Sequence, residues 1–314
     1  MIGPIPVTLI GGYLGAGKTT LVNHLLRNAN GRRLAVLVNE FGELPIDADL
    51  IVAREGNLIS ISGGCICCSF GSDLLAALMQ LKDRGDAIDH LLIETSGVAL
   101  PGSIVQSLSL LPELVLDGVI VVADAETIEQ RARDRYMGDT VLAQLAHADI
   151  ILLNKADLVS PERFSDVSRW LGETVPRARI VPAENADIPL EIIVGQHAPR
   201  QGDTRLTPRS GRQHIADYET LSFEIDSPRD PERLAAALAA MDCGLLRAKG
   251  FVRQFDGTFA TLHVVGRRAL IEPAPDWIEG PGRVVCIGLA NQINRSAIEA
   301  GVESNFIATA ESVR

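Results

Sequence analysis

Three groups of residues have the types and spacing to do chemistry. In "VTLIGGYLGAGKTTLVNHLL", Gly12, Gly17, Lys18 and Thr19 fill the pattern G-x-x-x-x-G-K-T between an apolar strand-like run and an amphipathic helix pattern. Glycines at these positions let backbone N–H groups turn inward around phosphate oxygens, and the helix N-terminus adds a dipole of the right sign. Lys18 then reaches β- and γ-phosphates, and the Thr19 hydroxyl is offered to magnesium. A glycine-rich turn without a ligand is the plainer reading, and the complete pattern in this context weighs against it.

The second group lies in "ILLNKADLV", where Asn154, Lys155 and Asp157 follow a buried run. An Asp two places after the Lys accepts hydrogen bonds from the N1 and N2 edge of guanine. Adenine has no such donor pair and leaves the carboxylate unpaired. The same four residues alone are also compatible with a polar strand end. Two acidic stretches lie between these groups. "HLLIETSGV" ends a run in Glu94, where phosphate-loop proteins hold a carboxylate near magnesium, followed by Gly97 at the place that feels the γ-phosphate. "VLVNEFGELPID" gathers Asn39, Glu40, Glu43 and Asp47 around Gly42. Such groups orient water, hold magnesium or hold a second metal, or form a solvated acidic loop.

The third group is "ISGGCICCSF", with Cys65, Cys67 and Cys68 in a Gly-rich loop. Adjacent cysteines do not form an unstrained disulfide with each other. Cys65 and Cys68 have redox-pair spacing, but redox motifs of that kind open a helix in a thioredoxin-like unit. Three soft thiolates suit zinc, with a carboxylate, His or water as fourth ligand, and cobalt or nickel fits less readily. Cys243 and Cys286 sit on distant apolar segments and read as core residues.

These residues must be positioned by an α/β framework. Apolar runs at 5–10, 33–39, 90–94, 118–124 and 149–154 alternate with helical patterns at 18–28, 72–84 and 139–147. Runs that are apolar throughout suit strands buried on both faces, and alternation with helices implies a parallel sheet. The expected fold is therefore a phosphate-loop α/β domain with a mainly parallel sheet over 1–195. A polar linker rich in Gly, Pro and Arg occupies 196–217, and a smaller α+β domain occupies 218–314. Within the smaller domain "LLRAKG" (245–250) is basic. Arg247 and Lys249 either face the first domain or a phosphate, or flank a strand on its solvent face.

The chain has 314 residues, a net charge of −11 and a pI of about 5.1, against a broad electrostatic nucleic-acid surface. Aromatic residues make up only 4%, so the core is aliphatic. No apolar run approaches a membrane span of about 18–20 residues, and the N-terminus has no basic n-region of a signal peptide. A cytoplasmic location follows as the expectation. Thiols stay reduced there, favouring metal binding over a structural disulfide.

The segments "GGYLGAGKTT", "NEFGE", "GGCICC", "IETSG", "LDGVIVVADA", "QLAHADIILLNKADLV" and "LLRAKGF" come in the order found in CobW-type GTPases, which the chain resembles over nearly its whole length. That family is implicated in metal-ion insertion and homeostasis as GTP-dependent metallochaperones. Its members serve zinc, cobalt for cobalamin, or metals for nitrile hydratase.

The resemblance implies that Gly12, Gly15, Ala16, Gly17, Lys18, Thr19 and Thr20 bind phosphates. Thr19 also binds magnesium, and Asn154, Lys155 and Asp157 bind guanine. Lys18, Glu40 and Glu94 become the catalytic candidates. Cys65, Cys67 and Cys68 become the transfer-metal site, with Glu43 as an additional ligand. The implied cofactors are GTP, Mg2+ and Zn2+ or Co2+, and the implied partner is a client metalloprotein. Oligomeric state is left open.

Three positions depart from the family pattern. Ser60 stands where many relatives carry Glu, Leu100 where many carry Asp, and the domain junction holds only His197 and His214 instead of a His-rich stretch. The last departure implies no metal-storage tail, or a weaker secondary metal site. Three other functions are weighed against a metallochaperone: a metal-sensing switch that delivers nothing, a GTPase regulating another assembly, and a small-molecule kinase.

Overall fold

Strands apolar at every position need cover on both faces, and the N-terminal unit provides it. The computed structural model describes residues 4–38, 88–195, 217–275 and 277–304. Glu40, Glu43, Cys65, Cys67 and Cys68, the expected helix at 72–84 and nearly all of the expected linker lie outside the described residues. Two units divide the chain at Val194 and Gly195.

In the first unit, β1 (Ile5–Gly11), β2 (Leu34–Val38), β3 (His90–Glu94), β4 (Leu114–Asp124), β5 (Ile150–Asn154) and β6 (Arg179–Pro182) form one sheet in the order β2-β3-β1-β4-β5-β6. All neighbouring strands are parallel. The helices are α1 (Lys18–Arg27), α2 (Pro101–Leu108), α3 (Ile128–Ala132), α4 (Gly138–Ala146), α5 (Pro161–Thr174) and α6 (Leu190–Val194).

Successive strand residues point to opposite faces. Val7, Leu9, Leu91, Ile93, Val119, Val121, Ile151 and Leu153 join Ile104 and Leu108 of α2, Val141 and Leu145 of α4, and Val167 and Leu171 of α5 in one core. Ile10, Leu92, Ile120, Val122, Ile150 and Leu152, on the alternate positions, are equally buried, and α1 packs on β3. The sheet is thus parallel, as expected. Strand β4 starts four residues earlier than the apolar run at 118–124, and β6 was not foreseen. At the edge, with Pro182 as its last residue and one position fully buried, β6 has neither a long apolar run nor a clear alternation.

The second unit holds β7 (Tyr218–Ile225), α7 (Pro231–Ala240), β8 (Leu245–Arg253), β9 (Phe259–Val265), β10 (Arg268–Pro273), β11 (Gly282–Leu289) and α8 (Arg295–Ser304). Its sheet runs β10-β9-β8-β11-β7 and is antiparallel throughout. Asp230 caps α7 by accepting from the Arg233 N–H, with Pro231 at the first helical position, where its missing N–H costs nothing.

Leu221, Phe223, Ile225, Ala248, Val252, Leu262, Val264 and Val284 form a core with Leu234 and Leu238 of α7 and Ile298 and Val302 of α8. Cys243 and Cys286 belong to this core as free thiols. Burial, reinforced by the neighbouring Cys243, pushes the Cys286 thiol up to about 12. Arg247 is only 2% exposed, which rules out the solvent-face reading of that residue.

Candidate nucleotide site

The C-terminal ends of β1, β3, β4 and β5 are neighbours in the sheet, and each delivers one part of the site. Beyond β1 the chain turns through Gly12 (φ 131°), Gly15 (φ 75°) and Gly17 (φ 110°) before α1 begins at Lys18. At Gly12 the requirement is double. Its φ disfavours a side chain, and a Cβ there would collide with the carbonyl oxygen of Val122 on β4. At Gly17 a Cβ would meet the carboxamide of Asn154.

Lys18 is buried, and its Nζ donates to the carbonyl of Tyr13 at 3.4 Å, which folds the ammonium back over the loop. The ring of Tyr13 is covered by the Arg131 guanidinium, 4.7 Å from its centroid. Gly15 and Thr20 are exposed, and Ala16 is buried.

Thr19 Oγ1 donates to Glu94 Oε1 at 2.7 Å. Glu94 is 2% exposed at the end of β3, so a hydroxyl and a buried carboxylate converge beneath the loop. Two hard oxygen donors side by side fit magnesium, which takes few protein ligands and prefers carboxylate and hydroxyl oxygen. The hydroxyls of Thr95 and Ser96, which follow Glu94, are buried without a hydrogen-bond partner among the described residues.

The β5 end carries the second motif. Asn154 is buried, and its carboxamide ties two loops together. Nδ2 donates to the Ala16 carbonyl at 2.9 Å, and Oδ1 accepts from the Ala186 N–H at 2.8 Å. Lys155 adopts φ 60°, and its Nζ pairs with Asp124 Oδ2 at 2.7 Å. Asp124 Oδ1 accepts from the Glu126 N–H, so both carboxylate oxygens are engaged. Asp157 lies exposed in the 3-10 turn Ala156–Leu158. The structure thus gathers the residues from Gly12 to Thr20 with Glu94 and Asn154, and holds Lys155 and Asp157 on the next loop.

Three contributors were not among the expected site residues. Asp124 lies within "LDGVIVVADA", where the sequence assigns it no role. Residues 183–186 carry no motif, yet Asn185 (φ 52°) and Ala186 (φ 54°) hold a left-handed turn that meets Asn154. Arg131 reaches Tyr13 across more than a hundred positions of sequence.

Fold and site define a phosphate-loop GTPase. Residues 6–182 match the CobW/HypB/UreG nucleotide-binding domain, and residues 218–305 match the cobalamin synthesis protein cobW C-terminal domain. The chain therefore belongs to the CobW family, as its motif order implied.

A zinc chaperone CobW from a Sinorhizobium species is 30% identical over 346 aligned positions, covering 96% of this chain and 97% of that protein. The zinc chaperone YjiA of Escherichia coli is 33% identical over 241 positions, covering 73% of this chain and 74% of that one. Among solved structures, Zn(II)-bound YjiA GTPase from E. coli is 26% identical with a TM-score of 0.48, over 97% of this chain and 99% of that chain. Among the described residues, no helix is long and apolar enough to cross a membrane.

Proposed function

We propose that this protein is a GTP-hydrolysing metallochaperone. It binds zinc, with cobalt(II) as the alternative cargo, at Cys65, Cys67 and Cys68, and couples delivery to a client metalloprotein to GTP binding and hydrolysis. The observation that carries this reading is the pairing of β2 with β3. Val38 stands opposite Glu94, so the last described residue of β2, which precedes the cysteines in sequence, is level with the buried carboxylate that Thr19 touches. The zinc-chaperone names of relatives that align with most of this chain support the same reading.

In this reading Gly12 to Thr20 cradle the phosphates with backbone N–H groups, and Lys18 neutralises the β- and γ-oxygens. Thr19 and Glu94 would hold magnesium, which when bound would screen the charge on those oxygens. Asn154 positions the phosphate loop and the 183–186 turn, and Asp157 reads the guanine N1 and N2 donors. Glu40 and Glu43 lie on the segment that joins β2 to the cysteines, where Glu40 acts on the reacting water and Glu43 adds a metal ligand. A reducing cytoplasm keeps the three thiols available.

GTP orders this segment and tightens the thiolate site. Hydrolysis relaxes it and frees the metal. By linkage, metal then raises GTP affinity by the factor by which GTP raises metal affinity.

The test is a competition titration with zinc and cobalt(II), run without nucleotide, with GDP·Mg and with a non-hydrolysable GTP analogue·Mg, on the natural chain and on Cys65/Cys67/Cys68→Ser. Tighter metal binding in the GTP form, lost with the cysteines, is expected. Metal affinity indifferent to nucleotide, or surviving the triple substitution, sinks the coupling. Tight GTP-dependent binding without transfer to an apo metalloprotein would make the protein a sensing switch instead.

A further inference from the structure

The chain passes from Glu94 to α2 through residues 95–100, and this loop is held from two sides. Gln144 of α4 is 1% exposed, and its Nε2 donates to the carbonyls of Gly97 and Ala99, each at 3.0 Å. A buried amide needs both of its N–H groups bonded, and here both go to one loop. From the other side, a Cβ on Gly97 would lie 2.5 Å from Leu14 Cδ2 and 2.9 Å from the Leu14 backbone nitrogen. Gly97 is therefore seated directly against the phosphate loop, with Gln144 at its back.

The two bonds orient the Gly97–Val98 and Ala99–Leu100 peptide planes. A trans peptide whose carbonyl points toward α4 directs its N–H the opposite way. The Ala99 N–H closes the turn onto the Ser96 carbonyl at 3.1 Å, and the Thr95 N–H is anchored to the Ile10 carbonyl at 2.9 Å. The loop is thus fixed at its start by β1, in its middle by a turn and at its back by one side chain from α4.

We propose that Gln144 is a positioning residue that holds the Gly97 loop against the phosphate loop, and so sets the preference for GTP over GDP and the rate of hydrolysis. The inference rests on the reading that the loop after Glu94 faces the γ-phosphate. GDP has no γ-phosphate and makes no use of the loop. Loosening the loop therefore leaves GDP binding in place while weakening GTP binding and slowing turnover.

Gln144→Met keeps the length of the side chain and removes both donors. Gln144→Glu keeps the shape and sets a carboxylate against two carbonyls. The GDP dissociation constant is expected within about twofold of the natural chain, the size of effect seen when no contact is lost. Affinity for a non-hydrolysable GTP analogue and kcat should each fall about tenfold, the scale of one to two neutral hydrogen bonds.

Gly97→Ala, which drives a methyl group into Leu14, tests the underlying reading separately. If it leaves the GTP-to-GDP preference unchanged, the loop does not face the γ-phosphate, and both readings fall. If it shifts the preference while neither Gln144 variant does, the loop reading stands and the role of Gln144 is overturned. Equal weakening of GDP and GTP by the Gln144 variants, or loss of helical circular dichroism in both, makes Gln144 a packing residue and also overturns the proposal.

Discussion

In the N-terminal unit β3 and β5 are buried at every residue, whereas β7 of the C-terminal unit alternates, with Leu221, Phe223 and Ile225 inside and Ser222 and Glu224 exposed. Parallel strands all end on the same edge of their sheet. The ends of β1, β3, β4 and β5 therefore bring Gly12, Glu94, Asp124 and Asn154 to one place. Antiparallel strands end alternately on opposite edges, so the loops of the second sheet divide between two edges. Close backbone approach also serves different ends. Gly12 lets the phosphate loop turn over β4, while Gly250 lets β8 lie against β11, where a Cβ would collide with the Arg283 carbonyl oxygen. One unit uses its topology to concentrate polar groups, and the other uses it to close a sheet.

Substitutions that strike one unit and spare the other test this contrast. The largest effect is expected from Lys18→Ala, which should lower GTP hydrolysis about a thousandfold, the scale of losing a charged group from a water-poor phosphate site. Phosphate release measures it. An unchanged rate would remove the phosphate role from this loop.

Next, Asp157→Ala should reduce the preference for GTP over ATP about a hundredfold, because the guanine donors lose their acceptor. Competition binding reads the ratio, and an unaltered ratio would move base recognition elsewhere.

Gly250→Ala should destabilise the C-terminal unit by about 2 kcal/mol through overpacking, while GDP affinity stays within about twofold. Urea unfolding alongside nucleotide titration checks both halves, and a large loss of nucleotide affinity would break the separation.

The smallest effect concerns Cys286. Its thiol stays protonated in the folded state up to about 12, whereas an unfolded thiol ionises from about pH 8.5. Between these values the unfolded chain binds fewer protons, so stability falls as pH rises. Raising the pH from 8 to about 9.3 should cost about 1 kcal/mol that Cys286→Ala does not lose. Equal pH dependence in both proteins would contradict it.

Much of the candidate site was legible because its signals are local. The phosphate-loop glycines, Lys18 and Thr19 are contiguous, and so are Asn154, Lys155 and Asp157. A strand-to-helix turn and a strand end are decided by a few neighbouring residues. The parallel sheet was legible because strands buried on both faces have no polar alternation. Strand β6 lacks that mark, being short, at an edge and ended by Pro182.

Sequence by itself therefore determined the class of ligand, the parallel α/β sheet and the family, since each rests on residue types at short spacing. Only the tertiary structure decided how those pieces are held. Asn154 bonds both Ala16 and Ala186, Asp124 takes Lys155, Gln144 takes the carbonyls of Gly97 and Ala99, and Arg247 is buried within a strand that looked half solvent-facing. The bonds made by Asn154, Asp124 and Gln144 join residues about 30 to 140 positions apart. Their partners are backbone groups or common side chains, which carry no pattern along the chain. Their role exists only once the sheet has brought the strand ends together.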